Sequence, residues 1–282
     1  MIMHNFNDYN FDIQQLKKRC GAISMNLSGA AIKQVYKDIL GLIDLTTLSG
    51  ADNIKKVKNL CLKGMSYADD SQEIPNVAAI CVYPVFAKLV SSGLDGSGIN
   101  TACVAGAFPS GHSPLDLRIA EVAYAIAEGA DEIDMVISRG RLLEGDYDFV
   151  MNEVKGIKAV CGGTHLKVIL ETGELKKPSL IRKACELSIL GGADFLKTST
   201  GKIEPAATHE AFLIMLDTIK EYFDKTGKMI GIKAAGGIST PGEAVSYYLL
   251  VKNILGEEWL NKGYFRIGAS RLADNIYNAI IE

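Results

Sequence analysis

Eight apolar runs of strand length recur along the chain, and between them the apolar positions change to a three- and four-residue spacing. The runs are LGLIDLTTL (40–48), NVAAICVYP (76–84), TACVAGAFP (101–109), EIDMVIS (132–138), LKVILETG (166–173), DFLKTSTG (194–201), IGIKAAGG (230–237) and YFRIGAS (264–270). Intervening stretches such as PLDLRIAEVAYAIAEGA and FLIMLDTIKEYFDKTG have the repeat of amphipathic helices. Strand and helix alternating eight times predicts an α/β fold, a parallel (β/α)8 barrel of the TIM type. A doubly wound open sheet would usually carry a glycine fingerprint after its first strand, and DLTTLSGADN has none. Residues 1–39 precede the first run and are expected to form one or two helices, an N-terminal extension packed on the barrel at its lower end. Residues 40–282 are expected to form the catalytic barrel, with no Pro/Gly/Ser-rich linker dividing them.

Composition narrows the function. The 282 residues, 48% of them hydrophobic, suffice for one large core, and the net charge of −3 without a basic stripe argues against nucleic acid as partner. No apolar run reaches membrane-spanning length, and the polar first twenty residues lack the apolar centre of a secretion signal. Six scattered cysteines without a CxxC pair read as reduced thiols of a cytoplasmic protein. Four scattered histidines give no expectation of a metal site.

The polar residues cluster late in the strands, where barrels of this kind place their chemistry. Lys197, within FLKTSTGK, and Lys233, within GIKAAGG, stand on the neighbouring sixth and seventh strands. Two ammonium groups close together, both leaving water, lower a lysine's pKa, and a partly neutral lysine can attack a carbonyl to form a Schiff base. The bland alternative is that each lysine pairs with a carboxylate and only holds the barrel together. Lys167 stands second in its run on the same face as Glu171, which predicts a structural ion pair between them. Asp134, on the same face as Glu132 but nearer the upper rim, and Asp44, in mid-strand, are carboxylates that can pair with lysines or move protons. Cys81, late on the second strand, is either a small core residue or faces the barrel mouth.

STGK, AGGIST and IGAS, after strands six, seven and eight, are small and glycine-rich, and each is expected to precede a helix whose N-terminus would hold phosphate. The residues by themselves therefore point to a Schiff-base barrel enzyme acting on a small phosphorylated aldehyde or sugar.

Together DLTTL, AAICVYP, GADEIDMV, LKVILETGEL, GADFLKTSTGK, GIKAAGGI and FRIGAS closely resemble the DeoC family of class I aldolases, from about residue 40 to 275. The resemblance implies reversible cleavage of 2-deoxy-D-ribose 5-phosphate to D-glyceraldehyde 3-phosphate and acetaldehyde, in deoxyribonucleotide catabolism, without a cofactor. It implies Lys197 as the Schiff-base residue, Lys233 as the second catalytic lysine, Asp134 as the proton-transfer acid/base and Asp44 as support for the lysine pair. It places Thr200, Gly201, Lys202, Gly236, Gly237, Gly268 and Ser270 at the substrate and its phosphate. Three departures stand out: Arg271 follows Ser270 where many relatives have a second serine, Ser239 replaces an arginine of some bacterial members, and the chain ends in YNAIIE without a terminal tyrosine. The partners expected are phosphorylated sugar and aldehydes, with no nucleic acid or membrane and with a homodimer as the candidate assembly. The competing readings are another Schiff-base barrel enzyme, such as a transaldolase, or a catalytically silent barrel that binds a sugar phosphate.

Overall fold

All eight predicted strands form in the computed structural model, which describes residues 6–23 and 29–282. They are β1 (Ile43–Thr46), β2 (Ala79–Val82), β3 (Asn100–Ala105), β4 (Glu132–Val136), β5 (His165–Ile169), β6 (Phe195–Lys197), β7 (Gly231–Ala235) and β8 (Phe265–Ala269). Each pairs in parallel with the next, and β8 pairs with β1 to close the barrel. The strands are shorter than the runs that predict them: the run at 194–201 yields only the three residues of β6, because Thr198 onward leaves the ladder as a rim loop.

Strand alternation sorts the side chains into two populations. Ile43, Leu45, Ile80, Val82, Cys103, Ile133, Met135, Leu166, Val168, Leu196, Ile232, Phe265 and Ile267 belong to the large core between strands and helices. The opposite face points into the barrel. On the β2–β3 side its residues are small and apolar, with Ala79, Cys81, Ala102 and Val104 packed together. On β1 and on β4 to β8 it carries the charges Asp44, Glu132, Asp134, Lys167, Lys197, Lys233 and Arg266, among small and apolar residues. The tight approach of Phe195 to Gly231, where an added Cβ would lie 2.4 Å from the ring, lets one aromatic fill the interior at that level.

Before the barrel come α1 (Ile13–Gly21) and α2 (Ala30–Leu40). Asp12 starts α1 with a reciprocal cap: its carboxylate accepts from the Gln15 backbone at 2.8 Å, and the Gln15 side chain accepts from the Asp12 backbone at 2.8 Å. A cap of this kind stabilises a helix start by roughly 1 kcal/mol. The position of α1 corrects the expectation that the extension covers the lower end. It lies outside the helix His209–Thr226, where Arg19 holds Asp217 with two bonds of 2.6 and 2.8 Å and Tyr9 donates to the same carboxylate at 2.7 Å. Its Ile13 and Lys17 border Thr172 and Pro205, in the rim loops after β5 and β6. Leu16 is buried in the core, with Cys20 packed beside it, and the polar bonds fix the direction in which α1 lies. By contrast α2 buries Val35, Ile39 and Leu40 and packs against the last helix, Leu272–Ile281. Among the described residues no helix is long and apolar enough to cross a membrane.

Candidate active site

Ladder register brings the predicted lysines together. Lys197 and Lys233 are direct partners across β6 and β7, so their side chains leave the same face side by side. Both ammonium groups donate to one oxygen of Asp134, Oδ2, at 2.7 Å each. Lys233 also donates to Asp44 Oδ2 at 2.5 Å. Asp134 and Asp44 are fully buried, Lys197 is 3% exposed and Lys233 1%. The four residues singled out for chemistry thus form one contiguous group, although they come from β1, β4, β6 and β7.

Beneath them lies a charged layer. Lys167 donates to Glu132 and, at 3.1 Å, to Asp134 Oδ1. Arg266, from β8, donates to Asp44 Oδ1 and to Glu132 Oε1 at 2.6 Å each. The expected Lys167–Glu171 pair does not form. Strand parity reaches only as far as Ile169, and Glu171 lies beyond the strand with a left-handed backbone (φ 55°), which turns its carboxylate to the rim.

Electrostatics separates the two lysines. Burial pushes the Lys197 ammonium below its ordinary pKa; Asp134 pulls it back in part, and the Lys233 charge lowers it further. Burial acts on Lys233 in the same sense, but Asp134 and Asp44 together outweigh it and hold that ammonium above its ordinary value. Burial resists the charge on Asp134, yet the cations Lys167, Lys197 and Lys233 keep the carboxyl well below the usual range. At neutral pH the arrangement therefore offers one amine that is easily deprotonated beside one fixed cation and one fixed anion.

Above the pair opens a pocket of about 300 Å3, lined by Lys197, Lys233 and all seven of the predicted substrate-binding residues. Gly201 (φ +73°) and Gly236 (φ +88°) approach back to back: a Cβ on Gly236 would lie 3.2 Å from Gly201 Cα and 2.4 Å from Ala206 Cβ. Their bare backbones let the loops after β6 and β7 meet. Gly237 and Ser270 line the same side, followed by Ser239 and Arg271. Helices Pro241–Ile254 and Leu272–Ile281 start directly behind these loops, as expected after β7 and β8. After β6 the expectation fails: STGK is followed by irregular chain, and the next helix starts only at His209, capped by Thr208. Two helix N-termini, not three, face the pocket's side. Gly268 does a different job from its neighbours. A Cβ there would lie 3.0 Å from Lys233 Cε, so its bare interior face makes room for that side chain.

Several contributors escape sequence reasoning. Glu171 takes the Thr200 hydroxyl at 2.5 Å and the Thr200 backbone N–H at 3.2 Å, and Arg139 reaches the same carboxylate at 3.4 Å. The Thr200 hydroxyl in turn accepts from the Lys202 backbone at 3.1 Å, while the Lys202 ammonium donates to the Leu48 carbonyl. Loops after β4, β5, β6 and β1 are thereby tied around the mouth. Strand parity misassigned Glu171; the glutamate's place just past a strand end was the usable signal. Arg266 and Glu132 were findable as charges on interior-parity positions of apolar runs. Cys81 faces inward but is fully buried against Ala79, Ala102, Val104 and Leu48, and burial raises its thiol pKa.

Comparison with known proteins agrees with this geometry. A model of the DeoC/LacD family of aldolases matches residues 39–246. The deoxyribose-phosphate aldolases of Homo sapiens and Mus musculus are each 40% identical over 248 residues, covering 84% of this chain and 78% of theirs. A solved structure described as a tetrameric deoxyribose phosphate aldolase from Aeropyrum pernix superposes with a TM-score of 0.70 at 25% identity, covering 91% of this chain and 99% of that one.

Proposed function

The chain belongs to the DeoC/LacD family of aldolases, and we propose that it cleaves 2-deoxy-D-ribose 5-phosphate reversibly to D-glyceraldehyde 3-phosphate and acetaldehyde through a Schiff base on Lys197. It is a class I aldolase, a carbon–carbon lyase. The observation that carries the residue roles is the shared oxygen: Lys197 and Lys233 meet on Asp134 Oδ2 beneath the pocket.

The neutral Lys197 amine attacks C1 of the open-chain sugar, and loss of water gives the iminium. The C3 hydroxyl then loses its proton, C3 becomes the aldehyde of glyceraldehyde 3-phosphate, and the C2–C3 electron pair moves into the iminium to leave an enamine. Protonation at C2 and hydrolysis release acetaldehyde and restore the amine. Asp134 is the group placed to pass protons at C2 and at the nitrogen. Lys233 remains charged, keeps Lys197 from holding its proton and orients Asp134. Asp44 fixes Lys233 from the other side. The iminium is itself the electron sink, so this reading calls for no cofactor.

The phosphate is assigned to backbone N–H groups of Gly237 and the loop Gly268–Ser270, at the starts of two helices, with Gly201, Gly236 and the charges of Lys202 and Arg271 around them. Thr200 holds the sugar side of the pocket. Lys202 now bonds the Leu48 carbonyl, so engaging phosphate would require it to exchange that partner. Of the N-terminal extension, the described helices α1 and α2 brace the barrel's outer ring. A homodimer in the cytoplasm completes the proposal. The Aeropyrum pernix enzyme, described as tetrameric, supports association of copies, and light scattering would read the state directly.

Borohydride reduction in the presence of acetaldehyde, followed by peptide mapping, tests the core of the reading. The adduct should sit on Lys197, and Lys197→Ala should lose nearly all activity. An adduct on Lys167 or Lys233 would overturn the assignment.

A further inference from the structure

The barrel interior holds one more cation than anion. Its cations are Lys167, Lys197, Lys233 and Arg266; its carboxylates are Asp44, Glu132 and Asp134, and none of the seven is more than 3% exposed. Buried charge without a partner is strongly disfavoured, so one of the four cations is pressed to lose its proton. The hydrogen bonds single out which. Lys167 reaches Glu132 and Asp134, Lys233 reaches Asp44 and Asp134, and Arg266 reaches Asp44 and Glu132. Lys197 has Asp134 alone, and shares that oxygen.

We propose that Arg266 is a positioning residue for the reaction: by occupying Asp44 and Glu132 from the floor of the barrel, it makes Lys197 the surplus cation and hence the free amine. This rests on the reading of Lys197 as the nucleophile. A guanidinium keeps its proton at any working pH, so Arg266 is the one member that cannot relieve the excess itself. Its place is fixed by a third bond, from Nε to the Lys262 carbonyl at 2.6 Å. Without Arg266, three cations would face three carboxylates. Lys167 and Lys233 would turn toward Glu132 and Asp44, and Asp134 would be left to Lys197, which could then keep its proton. Asp134 on β4, Lys233 on β7 and the Cys81 thiol on β2 act on Lys197 directly, and behind them lie Lys167 on β5, Asp44 on β1 and the Arg266–Glu132 pair, linked to Asp134 and Lys233 by ion pairs. The titration directions agree, with burial opposing charge throughout: the three carboxylates lie below their ordinary range, Lys167, Lys233 and Arg266 above theirs, and Lys197 alone among the four cations below.

The test is the pH dependence of kcat/KM and of borohydride capture with acetaldehyde, on the full chain. Arg266→Gln removes the excess, so the midpoint should move to a pH about one unit higher, with activity at pH 7 down about tenfold and recovering at higher pH. Glu132→Gln doubles the excess and should move the midpoint the other way. The double variant restores the original balance and should bring the midpoint back toward the parent. A folded Arg266→Gln that is slower at all pH with an unmoved midpoint would make Arg266 merely structural and overturn the proposal. If Arg266→Gln does not fold, Glu132→Gln decides: an acid shift supports the proposal, and an alkaline or absent shift overturns it. Capture mapping to Lys197 with fixed midpoints would fail this inference alone, whereas capture mapping elsewhere would fail the reading of the nucleophile.

Discussion

At the scale of single residues, the site works by small differences in partnership. Lys197 and Lys233 are the same residue type, one ladder step apart, yet a second carboxylate on Lys233 moves their proton affinities in opposite directions. Lys233→Leu should therefore leave the nucleophile in place and raise its pKa, because a neighbouring cation is lost and Asp134 Oδ2 is left to Lys197. The pH–rate profile should move alkaline. A Lys197 pKa higher by about one would leave up to about tenfold less free amine, and so less activity, at neutral pH; an unmoved profile would refute the coupling. Gly268→Ala should have the same signature in milder form. Its new methyl, 3.0 Å from Lys233 Cε, would displace that side chain by a few tenths of an ångström and loosen its bonds to the two carboxylates. Asp134→Asn separates the steps: the amide keeps the shape but cannot exchange a proton, so acetaldehyde should still be trapped on Lys197 while its α-deuterium exchange with solvent slows.

At the scale of elements, the rim loops are held by side chains that never face the reacting carbon. Glu171 bonds both the hydroxyl and the N–H of Thr200, and so fixes the loop carrying Gly201 and Lys202. Glu171→Gln puts an amide N–H2 where one of those acceptors stood. It should raise KM for deoxyribose 5-phosphate while changing turnover of unphosphorylated deoxyribose little; equal loss on both substrates would assign Glu171 to folding instead. Arg271, exposed at the start of the last helix and bordering the pocket, should show the same substrate contrast. If it meets the phosphate, Arg271→Ala should cut kcat/KM by about ten- to a hundredfold, the loss expected for a charged hydrogen bond of roughly 1.5–3 kcal/mol.

At the scale of the whole molecule, the charged interior makes stability depend on acid. Asp44, Glu132 and Asp134 are resisted by burial, but their cations hold all three below the usual carboxylate range. A carboxyl whose folded pKa is depressed stabilises the fold above its unfolded value, near 4, and that stability is lost as pH falls through the folded value. Resistance to urea unfolding should accordingly weaken steeply below about pH 4 and change little between about pH 5 and 8 from these groups. A flat acid limb would show that the three carboxylates titrate normally.

The apolar runs and their spacing determined the barrel, because eight strands packed on helices leave a periodic trace that needs no long-range information. The strand-end lysines and glycines were legible for the same reason: a charge or a bare backbone within an apolar run is costly unless something uses it. Resemblance, and not spacing, carried the individual roles of Lys197, Lys233 and Asp134. Only the closed barrel decided which charges meet. Ladder register aligned Lys197 with Lys233, brought Asp134 under both and joined Arg266 to Asp44 across 222 positions of sequence. It also took Glu171 away from Lys167, because alternation ends where the strand ends. Side-chain direction within a strand is a local property and can be read from the chain; proton affinity depends on distances between strands far apart in sequence, and those exist only once the sheet has closed.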